Sequence, residues 1–126
     1  QMCIRDSYNA NPASICAAID ILAGFSGRKV LVLGDIGELG AWSEQGHRDV
    51  GEYAIGKADV LYAVGPQMKH AVQAFGLGGR HFADQAALID AVRAEHGDST
   101  ILIKGSRSAA MENVVAALCG DSGESH

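Results

Sequence analysis

Apolar residues recur along this chain in two rhythms. Ile15, Ile19 and Leu22 return every three to four positions, which predicts a helix with one buried stripe. Asn11 before Pro12 supplies an N-cap and a proline at the first helical position, and Gly24 and Gly27 close the segment. The run "KVLVL" at 29–33 has no polar alternation, which predicts a strand buried on both faces. Ser43 opens a second helix, predicted to run to about Lys57 and to pack through Val50, Tyr53 and Ala54. Gly46, Gly51 and Gly56 each weaken that helix by up to about 1 kcal/mol relative to alanine.

The same two rhythms continue. "DVLYAV" at 59–64 predicts a strand, and Pro66 opens a helix with Met68, Ala71, Val72 and Phe75 inward. "RHFA" at 80–83 predicts a short strand, and Asp84 caps a helix that buries Leu88, Ile89 and Val92 and ends at Gly97. "TILI" at 100–103 predicts a last strand, followed by a helix with Met111, Val114, Val115 and Leu118 on one stripe. The order is one helix, then strand–helix four times. It predicts an α/β fold, Rossmann-like and doubly wound, with a mostly parallel sheet and helices on both faces. Each strand runs out into a polar loop: "GDIGELG", "GPQ", "ADQ", "KGSRS". Open parallel sheets bind ligands at that edge.

Composition narrows the choice. The 126 residues, 48% hydrophobic, suit one domain with one core. A net charge of −5 argues against binding nucleic acid or an anionic membrane. No apolar run approaches the ~20 residues of a membrane-spanning helix. Cys3, Cys16 and Cys119 lack metal-binding spacing and read as free thiols of a cytoplasmic protein. The opening "QMCIR" (1–5) reads as a non-native leader, so the sheet edge beside it is expected to lack a strand. The tail from 120 to 126 carries nothing apolar and is expected to be disordered.

Three polar segments carry the candidate chemistry. "DSYNANP" offers Asp6, Tyr8, Asn9 and Asn11, whose amides both donate and accept. "GDIGELG" follows a strand, but its glycines are spaced Gly34, Gly37, Gly40, and Asp35 and Glu38 would repel a pyrophosphate. That pair suits a cation or a substrate ammonium, or else caps the next helix. "KGSRS" places Lys104, Ser106 and Arg107 at a strand-to-helix junction, a field that suits a carboxylate or phosphate. An Arg–Asp pair joining the loops is the alternative. His47, His70, His81 and His96 show no metal spacing and read as surface or capping residues, and Trp42 reads as a ligand platform or a hydrophobic plug. The 126 residues contain no G-x-x-x-x-G-K-[ST] phosphate loop.

Together, "DSYNANPASICAAIDIL", "GRKVLVLGDIGELG", "HRDVGEYA", "ADVLYAVG" and "LIKGSRSAAMENVV" resemble the C-terminal domain of the Mur ligases, from about Asp6 to Leu118. The likeness is nearest to the members that add D-Ala-D-Ala to a UDP-N-acetylmuramoyl tripeptide in peptidoglycan precursor synthesis. It implies that residues 6–119 are one domain of a three-domain cytoplasmic enzyme. A nucleotide-sugar domain and a central domain holding ATP and Mg²⁺ would complete that enzyme, and this domain would be inactive alone. ATP phosphorylates the tripeptide carboxylate, and the amine of D-Ala-D-Ala displaces the phosphate. The resemblance puts Asp6 on the ATP ribose and brings Asn9 and Asn11 toward nucleotide and substrate. It puts Ser106 and Arg107 where the incoming dipeptide is recognised, while Asp35 and Glu38 match the family's loop without an assigned role. A folylpolyglutamate synthase-type ligase, or a stand-alone nucleotide- or phosphate-binding module, are the alternatives.

Overall fold

The computed structural model describes residues 2–5, 10–95 and 98–119. In chain order these form β1 (Met2–Arg5), α1 (Pro12–Ala23), β2 (Arg28–Gly34), α2 (Ser43–Ala54), β3 (Val60–Val64), α3 (Met68–Phe75), β4 (Gly79–Phe82), α4 (Gln85–Arg93), β5 (Ser99–Lys104) and α5 (Glu112–Cys119). Short 3-10 turns, Gly40–Trp42 and Arg107–Ala109, precede α2 and α5.

The strands form one sheet in the order β1-β5-β2-β3-β4, and every pairing is parallel. Alternation along the strands builds two cores. Leu31, Leu33, Leu61, Ala63 and Leu102 face α1, α2 and α3 through Ile15, Ile19, Val50 and Met68. Val30, Val32, Tyr62, Ile101 and Ile103 face α4 and α5 through Leu88, Val92 and Val114. Both faces are covered, so the central strands read as unbroken apolar runs. Each fully buried Leu or Ile contributes about 1.5–3 kcal/mol over its exposed state.

Local chemistry sets the helix ends. The Asn11 side chain accepts Ser14 N–H at 2.8 Å while Ser14 Oγ accepts Asn11 N–H at 3.0 Å, a reciprocal capping box. Asp84 caps α4 by accepting Ala87 N–H at 2.8 Å. The helix predicted from Pro66 begins two residues later, and the one predicted to reach Lys57 stops at Ala54.

Three expectations need correction. The edge expected to lack a strand holds β1, with Met2 opposite Thr100 and Arg5 opposite Ile103. Four residues read as a leader are too short a run to signal a strand, and β1 exists because β5 offers it a parallel ladder. The cysteines are not all free: Cys3 and Cys119 form a disulfide, and only Cys16 is a thiol. The ends meet because β1 is the edge strand and α5 packs against it. Gly51, which looked like a weak point of α2, is a contact. A Cβ there would lie 2.1 Å from Ala71 O, so its absence lets α2 and α3 close together. The tail at 120–126 lies outside the described residues.

Candidate functional site

The strand order decides where the polar segments go. β2, β3 and β4 step outward on one side, with α2 and α3 on one face. The chain then returns to β5 on the other side of β2, with α4 on the opposite face. Loops from β2 and β5 therefore leave toward opposite faces, which opens a crevice at the C-terminal rim. The three adjacent strands β1, β5 and β2 lead into "DSYNANP", "KGSRS" and "GDIGELG". The described ends of these strands, Arg5, Lys104 and Gly34, lie side by side on one rim.

Two of the segments are in direct contact. Ser106 N–H donates to Asp35 O at 3.0 Å. Gly34 and Gly105 make room for this: a Cβ on Gly105 would come 3.2 Å from Gly34 Cα, and one on Gly34 would come 2.9 Å from the Ala109 Cβ.

Asp35 is engaged by backbone. Its Oδ1 accepts Met68 N–H at 2.9 Å and Gln67 N–H at 3.1 Å, at the opening of α3. It thus serves as the cap that α3 lacks from its own N-cap residue, Gln67. Ser43 Oγ donates to Gln67 Oε1 at 3.1 Å, which ties α2 into the same belt. Glu38 is exposed and sits at φ 62, a left-handed conformation that residues other than glycine rarely adopt.

His47 was missed as part of this site. It is fully buried on α2, its Nε2 accepts Ile36 N–H at 3.0 Å, and its Nδ1–H donates to Ser43 O at 2.6 Å. The expectation of a surface or capping histidine is therefore wrong. Its burial follows from the α2 stripe, since it lies three residues before Val50. Trp42 is 74% exposed, so it is no hydrophobic plug.

The remaining predicted residues take distinct positions. Lys104, the last residue of β5, is 3% exposed, whereas Arg107 projects into solvent and Ser106 is half-buried. Asn11 is exposed, with its Oδ1 used in the α1 cap. Asp6 and Asn9 lie outside the described residues, as does His96. A cleft of about 240 Å³ opens beside the rim, lined by Asp35, Val64, Gly65, Pro66, Gln85 and Ala109. Gln85 is the second residue the sequence did not announce, because a glutamine after a helix cap is ordinary.

Chemically, the rim sets a guanidinium and a hydroxyl near a carboxylate-bearing loop. That arrangement suits a small ligand carrying a carboxylate and an ammonium. Among the described residues no three of His, Cys, Asp or Glu come together to hold a metal ion. Nor is any helix among them long and apolar enough to cross a membrane.

Comparison with known proteins agrees with the sequence resemblance. A family model for the Mur ligase, glutamate ligase domain matches residues 1–107. UDP-N-acetylmuramoyl-tripeptide–D-alanyl-D-alanine ligase of Escherichia coli (strain K12) is 50% identical over 122 residues, covering 94% of this chain and 27% of that protein. The Haemophilus influenzae ligase of the same name is 36% identical, covering 91% of this chain and 26% of its own length. Among solved structures, MurF from Acinetobacter baumannii superposes with a TM-score of 0.80 at 36% identity, covering 96% of this chain and 29% of that one. MurF ligase from Thermotoga maritima in complex with ADP gives 0.78 at 26% identity, covering 90% of this chain and 26% of that one. The chain thus spans about a quarter of the relatives it matches.

Proposed function

The chain belongs to the Mur ligase, glutamate ligase domain family, and from that premise we propose that it is the C-terminal domain of an ATP-dependent ligase joining D-Ala-D-Ala to a UDP-N-acetylmuramoyl tripeptide. The observation that supports the reading is the adjacency of β1, β5 and β2, whose C-terminal ends share one rim. The names of the relatives supply the substrate, and peptidoglycan precursor synthesis in the cytoplasm is the setting.

In this reading the domain binds and orients. Arg107, exposed at the rim, takes the dipeptide carboxylate, with Ser106 as a neutral partner. Glu38 faces the dipeptide ammonium. Asp35 keeps its carboxylate on the α3 backbone and holds the loop that carries Glu38. Lys104, buried at the end of β5, adds positive potential beneath the loop.

A nucleotide fits this rim in part. Asn11 spends its Oδ1 on the α1 cap, so it would meet a nucleotide through its amide N–H groups. Asp6 and Asn9 precede it in sequence, and Asp6 would hold the ribose hydroxyls. When bound, ATP supplies the phosphoryl group that activates the tripeptide carboxylate. Mg²⁺ does not fit the described residues, which bring no metal-ligand cluster together. It belongs with the ATP phosphates on the central domain. Binding alone does not activate a carboxylate, and the 126 residues hold no phosphate loop, so they are expected to be inactive by themselves.

The test is a graft. This chain replaces the matching 122 residues of the E. coli relative. The chimera should add D-Ala-D-Ala to the tripeptide in the presence of ATP. A chimera that folds but adds glutamate instead of the dipeptide would overturn the reading.

A further inference from the structure

Gln85 is the first residue of α4, on the sheet face opposite α1–α3. Its Nε2 donates to Ala109 O at 2.9 Å and to Ala110 O at 3.2 Å. Those carbonyls end the turn that starts at Ser106 and carries Arg107. Inside the turn, Ala109 N–H reaches Ser106 O at 3.0 Å and Ala110 N–H reaches Arg107 O at 3.1 Å. Ala110 is left-handed at φ 54, which residues with a Cβ disfavour. The turn is therefore held from outside, by Asp35 O at its start and by Gln85 at its end. α4 has no need of the Gln85 side chain, since Asp84 already caps the helix.

We infer that Gln85 is a positioning residue for the dipeptide site. It sets the angle at which Ser106 and Arg107 meet a carboxylate through its hydrogen bonds to the turn that bears them. The identity of the ligand rests on the proposed function; the pinning of the turn rests on the hydrogen bonds alone. What matters is a donor aimed at two carbonyl oxygens, so the chemistry of position 85 predicts a graded series. Gln85→Ala removes the donor. Gln85→Glu sets a carboxylate against both carbonyls, yet an acid in the first turn favours α4. Gln85→Lys keeps a donor on a long, flexible stem.

The experiment measures amide hydrogen exchange and D-Ala-D-Ala affinity in the 126-residue chain and these three variants. In Gln85→Ala, exchange at Ala109 and Ala110 should quicken about fivefold and the dipeptide Kd should rise by a similar factor, the worth of an ordinary hydrogen bond. Gln85→Glu should be worse at both readouts while the amides of α4 stay as protected as before. A residue that merely stabilised its helix would show the opposite. Gln85→Lys should come back toward the parent chain. Unchanged exchange at Ala109 and Ala110 in Gln85→Glu would overturn the inference, as would equal dipeptide affinity in all four proteins. If exchange responds while the parent chain does not bind D-Ala-D-Ala, the positioning stands and the proposed substrate falls.

Discussion

The fully buried His47 ring accepts the backbone N–H of Ile36 at 3.0 Å, so one side chain of α2 holds the loop that follows β2. The opposite ring nitrogen is spent on Ser43 O. Replacing His47 with alanine leaves an N–H and a carbonyl without that partner and opens a cavity. A loss of about 2–4 kcal/mol is expected in urea unfolding.

Helix propensity and packing disagree at Gly51. Propensity alone says that alanine there should stabilise α2 by about 1 kcal/mol. The structure says that the new methyl would meet Ala71 O and push α3 away. Gly51→Ala is expected to destabilise by about 1–3 kcal/mol, as overpacked contacts do. A stabilised variant in thermal unfolding would show that α2 and α3 are not this close.

Asp35→Ala should cost about 1–2 kcal/mol, the usual worth of a helix cap, by taking the acceptor from Gln67 N–H and leaving Met68 N–H only its longer bond to Gly65 O at 3.2 Å. Exchange at those two amides should rise in step. If they remain protected while stability falls, the carboxylate acts elsewhere.

Tyr62 gives the fold an alkaline limit. Burial, and then the hydrogen bond from its hydroxyl to Glu95, raise its pKa above the ordinary 10.0. The folded chain therefore keeps this proton longer than the unfolded chain does. Stability from this group is complete below pH 10 and is lost as pH rises through the folded value. Tyr62→Phe should flatten the decline of stability above pH 10. Part of the decline should survive, because the Tyr53 hydroxyl, bonded to Asp20, is raised in the same direction.

Arg107 separates binding from folding. It is exposed, so Arg107→Ala should leave the unfolding midpoint nearly unchanged. In the grafted ligase the KM for D-Ala-D-Ala should rise about tenfold or more, the worth of a charged hydrogen bond, with the KM for ATP unchanged. A rise in the ATP value alone would move Arg107 to the nucleotide.

Much of the fold was legible because its signals are local. "KVLVL" announced a strand covered on both faces, and Asn11 with Pro12 announced the start of α1. Asp84 announced α4 in the same way. The site was legible in part. That "GDIGELG" and "KGSRS" follow strands could be read directly, but the contact of Asp35 with Ser106 could not. It depends on β5 returning beside β2, which no spacing encodes. β1 stayed hidden because a run of four residues is too short to carry a strand signal of its own.

By itself, the order of residues determined most of the elements, the caps of α1 and α4 and the class of sheet they form, because periodicity and local capping act within a few neighbours. It also determined that the loops would be polar. Only the tertiary structure decided which neighbour each buried face meets. His47 takes Ile36, Gly51 takes Ala71, Gln85 takes the Arg107 turn, and Cys3 takes Cys119, a partner 116 residues away. A repeating apolar position shows that a face is covered; what covers it is set by strand order and crossover.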